Sequence, residues 1–116
     1  MKLLFERGDV SPDRPDKDGR TPLTWAARNG RKRVVKLLLE REDVSSDKPD
    51  NDGQTPLWRA AEYGREGVVQ LLEREDVDPD RPDNRGRTPL QWATQHRHNG
   101  VVKLLNARKA ATSNVV

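Results

Sequence analysis

Apolar positions in this chain come in short clusters that return regularly, not in one long periodic run. In the first complete cluster Leu23, Trp25, Ala26 and Ala27 are followed, after a polar break, by Val34, Val35, Leu38 and Leu39. The first group predicts a short helix whose alanines let another helix come close. The offsets of three and four residues in the second group place its members on one stripe of a second helix. Gly30, between the two, permits the left-handed backbone of a tight helix–helix turn. The alternation returns as Ala60, Ala61, Gly64, Val68, Val69, Leu71 and Leu72, and again as Trp92, Ala93, Val101, Val102, Leu104 and Leu105. Each first helix opens on Thr-Pro: the hydroxyl caps free amides, and Pro at the first helical position misses no N–H.

The polar intervals are equally regular. Ser45-Ser46-Asp47-Lys48-Pro49-Asp50-Asn51-Asp52-Gly53 is rich in turn residues, cannot be helical, and is predicted to project as a hairpin-like finger. The phrase Gly-x-Thr-Pro-Leu begins at Gly19, Gly53 and Gly86, a spacing of 34 and then 33 residues. Such a period marks a stacked-repeat architecture in which each unit buries its apolar face only against its neighbours. The functional question therefore becomes which surface the array presents, and to what.

The Asp-x-x-Gly-x-Thr-Pro-Leu openings from Asp16, Asp50 and Asp83, the Ala-Ala pairs, the interhelical Gly and the Val-Val-x-Leu-Leu runs resemble the ankyrin repeat over roughly residues 1–107. The Trp-rich openings and the Asp-Val-x-x-Asp-x-Pro-Asp connections look most like repeats from long tandem arrays in fungal proteins. The resemblance implies an all-α ankyrin-repeat solenoid of stacked helix-turn-helix units joined by finger-like hairpin loops. Residues 1–110 would form the array, divided into a partial repeat over 1–15 and repeats over 16–49, 50–82 and 83–110. Residues 111–116 would be a disordered tail.

Several positions depart from the family pattern. Where most ankyrin repeats carry His after Thr-Pro-Leu, this chain has Thr24, Trp58 and Gln91, so the usual polar network at the helix start is expected to be absent. Arg59 stands where the flanking units have Trp25 and Trp92. The Leu37-Leu38-Leu39 run shortens to Leu71-Leu72, which accounts for the 33-residue spacing. Arg97 replaces the turn glycine of the third unit, at a cost of about 1 kcal/mol if the left-handed geometry is kept. The family's Asn that intracellular hydroxylases modify is replaced by Ser11, Ser45 and Asp78, so that modification is not carried over. Lys2 to Val10 aligns with Lys36 to Val44, as though the chain opens inside a second helix. That predicts a piece of a longer array, of marginal stability alone.

Composition changes the picture only at the margins. Charged residues make up 35% of the chain and hydrophobic ones 32%, which suits a thin solenoid better than a globule with one centre. With no cysteine, disulfides and thiolate chemistry are excluded. No stretch approaches the roughly 20 apolar residues of a membrane helix, and Leu3-Leu4-Phe5 is too short for a signal peptide. An intracellular protein of cytoplasm or nucleus is expected. His96 and His98 have no third ligand at a known metal spacing and read as structural or surface residues. The Asp76 to Asp83 connection lacks the central Gly and terminal Glu of a calcium loop. No nucleophile–base pairing and no phosphate loop appear, so no enzyme, cofactor, metal or small-molecule substrate is expected. The basic run Arg28 to Lys36 suggests a nucleic-acid or nuclear-targeting patch. No basic stripe continues into the second unit around Glu62, Arg65 and Glu66, and a solvated face is the preferred reading.

Binding by surface remains, with a protein as the expected partner. In ankyrin-like arrays the partner meets the concave side, formed by finger tips and exposed first-helix positions. The resemblance carries these to Lys17, Asp18, Arg20, Arg28 and Asn29 in the first unit, and to Asn51, Asp52, Gln54, Glu62 and Tyr63 in the second. In the third they are Asn84, Arg85, Arg87, Gln95 and His96. Tyr63 reads equally as an interface anchor and as cover over the groove between units. Arg20, Arg85 and Arg87 either steer an acidic partner or solubilise the face. Trp58 is expected to pack between units, and Trp25 and Trp92 are assigned to packing. The alternatives are a basic nucleic-acid-binding surface and a repeat remnant with no function of its own.

Overall fold

The computed structural model describes the backbone of residues 12–113 and the side chains up to residue 108. The partial repeat expected over 1–15 lies almost wholly outside the described residues. Among the described residues six helices follow in order: α1 Pro22–Arg28, α2 Lys32–Leu39, α3 Pro56–Glu62, α4 Glu66–Leu71, α5 Pro89–Gln95 and α6 Asn99–Ser113. They form three hairpins, α1/α2, α3/α4 and α5/α6. The first helices pack in a row, α1 on α3 and α3 on α5, and the second helices do the same, α2 on α4 and α4 on α6. No contact of comparable extent joins the first hairpin to the third. The stack is therefore linear, as the repeat spacing predicts.

The Thr-Pro signal sets each first helix. Thr21, Thr55 and Thr88 are extended N-caps whose hydroxyls accept from the amides of Thr24, Trp58 and Gln91. In the first and third units the third helical residue reciprocates: Thr24 Oγ1 and Gln91 Oε1 accept from the cap amides at 3.2 and 2.9 Å. These are capping boxes. The expected loss of a polar network at the helix start is thus corrected, because Thr and Gln rebuild it without His. Only Trp58 of the middle unit has no such partner role.

Each first helix ends in a Schellman turn. Gly30, Gly64 and Arg97 occupy the left-handed position with φ of 69°, 69° and 60°. Their amides reach Ala27, Ala61 and Thr94, and the next amides reach Ala26, Ala60 and Ala93. Arg97 thus keeps the geometry that glycine favours, as the alignment of units predicts. The following residue ties adjacent units together. Arg65 Nε donates to Arg28 O at 3.0 Å, and His98 Nε2 lies 2.9 Å from Glu62 O. His98 is therefore a link between units.

The core runs along the seam between the two rows of helices. Leu23, Ala26, Ala27, Val35, Leu38, Leu57, Ala60, Ala61, Val68, Val69, Leu72, Ala93, Val101 and Leu105 are buried within it, joined by Val77 from a connection. Small alanines on the first helices admit the neighbouring backbone, and branched side chains on the second helices fill the remaining space. Val34 and Leu39 are only partly buried, so the stripe predicted on α2 is narrower than four residues. Where the Leu run shortens, α4 has six residues against eight in α2. α6 continues to Ser113, so residues 111–113, expected as tail, are helical.

Candidate functional site

The fingers are built from one recurring carboxylate. Asp16, Asp50 and Asp83 each accept from the amides two and four residues ahead, which closes the tight bend before Gly-x-Thr-Pro. Neighbouring fingers then dock tip to tip. The Asn51 amide donates to Asp18 O and the Asn84 amide to Asp52 O, both at 2.9 Å. The side chains of Asn51 and Asn84 donate to Lys17 O and Asn51 O. Aligned fingers and first helices together make one continuous face.

On that face arginines lie over aromatic rings. Arg20 and Arg28 sit 5.3 and 5.2 Å from the Trp25 ring centroid, and Arg28 also covers Tyr63 at 4.9 Å while donating to its hydroxyl at 3.1 Å. Further along, Arg87 covers Trp92 at 4.7 Å and Trp58 at 5.6 Å. The Trp58 and Trp92 rings lie 5.3 Å apart, and His96 follows Trp92 at 4.2 Å. These spacings fall inside the range over which a ring face attracts a cation. Trp58 is fully buried, as expected, and its Nε1 donates to Arg87 O at 2.9 Å. Trp25 and Trp92 are only partly buried and stand outside the apolar cluster. Both still pack against neighbouring side chains, Trp25 under Arg20 and Arg28, and Trp92 against Trp58, His96 and Arg87.

Between the two tryptophans stands Arg59, with its side chain 8% exposed. It bonds Asp50 Oδ2 through Nη2 at 3.0 Å and Glu62 Oε1 through Nη1 at 2.8 Å, and Asp52 lies at 3.5 Å. Burial opposes its charge, and Glu62 and Asp50 more than offset that opposition. The same frame position serves Trp25, whose Nε1 donates to Asp16 Oδ2 at 3.0 Å. In both units the pair is separated by nine residues. Asp83 is likewise held below the usual carboxylate range: burial raises it, while bonds from Arg87 and Gln54 outweigh the burial. A cavity of about 250 Å³ opens beside these groups, lined by Arg20, Asp52, Gln54, Arg59, Asp83, Asn84, Arg85 and Arg87.

A family model for ankyrin repeats in three copies matches residues 1–83 and, in a second register, residues 43–115. The chain belongs to the ankyrin-repeat family. No curated protein sequence matches it. Ankyrin repeats are generally protein-interaction modules. The positions expected to meet a partner differ in exposure. Lys17, Asp18, Asn29, Asn51, Asp52, Tyr63, Asn84, Arg85, Gln95 and His96 are exposed, while Arg20, Arg28, Glu62 and Arg87 are half-buried. Gln54 departs from the expected exposure. It is 5% exposed, and its Nε2 donates to Asp83 Oδ2 in the next finger. Sequence reasoning missed Arg59, Asp50 and Asp83 as parts of the face.

A second set of staples joins the connections of adjacent units in the ankyrin array. Ser46 donates to Asp76, Arg74 donates to Leu39 O, and Arg81 donates to Asp47 O. Asp76 and Asp78 are thereby engaged by hydroxyl, guanidinium and backbone groups. Among the described residues no group of three or more His, Cys, Asp or Glu is placed to hold a metal. No helix among them is long and apolar enough to cross a membrane.

Proposed function

We propose that this ankyrin array is a non-catalytic protein-interaction module whose partner lies along the concave face, within or derived from a longer array and acting in the cytoplasm or nucleus. The repeats over 16–49, 50–82 and 83–110 serve as its recognition units, and fingers and first helices supply the contacts. The observation that carries the reading is the partly exposed row of aromatic rings and arginines: Trp25, Arg28 and Tyr63 toward one end, Arg87, Trp92 and His96 toward the other. Aromatic and Arg side chains are the ones that concentrate binding energy at protein interfaces. Here they are preset by one another and by finger carboxylates, so little side-chain entropy is lost on docking.

The test is cross-linked capture from cell extract by the intact chain, by a Tyr63→Ala, Arg28→Ala variant, and by a Lys36→Ala variant altered on α2. Loss of a captured protein with the first variant and retention with the second is expected. Equal capture by all three would overturn the assignment of the concave face. Captured nucleic acid whose binding collapses with rising salt would replace the protein partner with a phosphate backbone.

A further inference from the structure

Charge is sorted along the helices of each hairpin. The turn, with the first part of the second helix, comprises residues 28–36, 62–70 and 95–103, which carry eight bases and two acids. The rest of residues 12–108 carries eleven bases and fifteen acids. Bases minus acids is thus +6 at the turn end and −4 over the remainder. The first hairpin supplies Arg28, Arg31, Lys32, Arg33 and Lys36, the second Arg65, and the third Arg97 and Lys103. Arg28 is engaged over Trp25 and Tyr63, while the other seven are exposed and in no ion pair among the described residues. Of the two acids, Glu62 is held by Arg59, and Glu66 leans over Gly100 at the start of α6. The next acid along α2, Glu40, stands one turn beyond Lys36 and pairs with no base among the described residues. Helix energetics do not account for the excess. α2 has no acid in its first turn, and the side chain of its N-cap, Arg31, makes no capping bond. Cations at a helix N-terminus oppose its dipole.

We propose that the turn end of the array docks on the anionic lipid headgroups of a membrane surface. The contact is peripheral and requires no spanning helix. α2, α4 and α6 pack side by side, so at about 8–10 Å between axes their starts cover roughly 20 Å of one edge. The bases are spread unevenly over that edge, and Glu66 interrupts them. A nucleic acid carries its phosphates at fixed spacing and is held best by a continuous row of bases. Lipids diffuse in the bilayer plane and gather wherever a base stands. A protein partner needs desolvated anchors. The exposed large hydrophobics among the described residues are Leu37 and Tyr63, and Tyr63 lies under Arg28. A planar negative surface attracts the +6 end and repels the −4 remainder, which orients the array. The eight residues of α2 separate its two ends by roughly 12 Å, more than the Debye length of about 8 Å, so the surface acts chiefly on the near end.

The experiment is co-sedimentation of the full chain with phosphatidylcholine vesicles that contain about 30% phosphatidylserine, and with vesicles of phosphatidylcholine alone. A short DNA duplex is titrated in parallel at the same ionic strength. Binding to the phosphatidylserine vesicles that weakens as salt rises, with none to phosphatidylcholine alone, is expected. Each base near an anionic surface contributes about fivefold to partitioning, so Arg31→Gln, Arg33→Gln should weaken it roughly twentyfold or more. The melting temperature of that variant should stay level or rise, because the start of α2 loses opposing charge. Arg14→Gln, Lys48→Gln removes the same charge from the connections and should change partitioning less than about twofold. Equal losses in the two variants, indifference to salt, or equal binding to both vesicles would overturn the surface. Binding of the duplex while the vesicles stay free would assign these bases to nucleic acid instead. A chain that captures its protein partner but ignores vesicles would lose this surface and keep the interaction face.

Discussion

Gly64→Ala probes the turn and the inter-unit link together, and its cost can be assembled from the structure. Gly64 has φ +69°, and a Cβ there would come within 2.8 Å of His98 Nδ1. Left-handed backbone costs an L-residue about 1–2 kcal/mol. Reduced freedom of the unfolded chain returns about 0.4–1 kcal/mol. The His98 ring must also move, which weakens its bond to Glu62 O, at a cost of about 1 kcal/mol. The sum is a destabilisation of about 1–2.6 kcal/mol. Gly86→Ala separates the contributions, because Gly86 has φ +76° with nothing within 4 Å of its added Cβ. It keeps the strain and the chain-entropy return and loses no link, so its cost should be smaller by about 1 kcal/mol. Urea unfolding at 25 °C followed by far-ultraviolet circular dichroism reads both. Equal costs would remove His98 as a link between units, and no cost for Gly64→Ala would refute the left-handed turn.

Other positions give independent checks. Arg97→Gly relieves strain at φ +60° and should stabilise the chain by about 0.5–1 kcal/mol after the unfolded-state entropy of glycine is subtracted; a lower urea midpoint would show that the Arg97 side chain matters to the fold. Trp58→Phe keeps one aromatic ring but removes the pyrrole ring with its Nε1 donor to Arg87 O at a fully buried site, and should cost about 2 kcal/mol or more, whereas an unchanged midpoint would show that bond to be idle. The folded Asp83 carboxyl lies below its unfolded value, so its contribution is complete above the unfolded pKa near 3.9 and is lost as pH falls through the lower folded value. Asp83→Asn should therefore flatten the acid limb of a stability–pH curve, and an unaltered limb would contradict the frame role. Burial, with Asp78 and Asp76 nearby and only partly offset by the Asp78 amide and Arg81, pushes the Asp47 carboxyl up. Asp47→Asn should accordingly raise the melting temperature at pH 7 and lose that advantage in acid; a lower melting temperature at pH 7 would show the charge to be useful.

Much of the fold was legible because its signals are local. Thr-Pro marks where a helix starts, Gly30 and Gly64 mark where it turns, and the Val-Val-x-Leu-Leu offsets mark which stripe is buried. These lie within a few residues of one another, and three copies confirm the register. The face of fingers and first helices was less legible because its contacts cross units. Arg28 meets Tyr63 across 35 positions, Gln54 meets Asp83 across 29, and the Trp58 indole meets Arg87 O across 29. A seven-residue helix does not disclose which of its large side chains the next unit covers, so the different burial of Trp58 and of Trp25 and Trp92 was not legible. Neighbouring fingers bury Trp58 and leave the other two partly open. Gln54 looked like a finger-tip residue until the next Asp drew its amide inward. Arg59 was read as an irregularity, although its spacing from Asp50 repeats that of Trp25 from Asp16.

The row of rings and arginines is tested most directly by an NMR titration of ¹⁵N-labelled chain with the protein that it captures. The three tryptophans give three indole N–H reporters. The account predicts that the Trp58 and Trp92 indoles and the amides of residues 51–54 and 84–87 shift together, while amides of α2 and α6 stay in place. Binding that moves α2 or α6 and leaves both indoles still would contradict it.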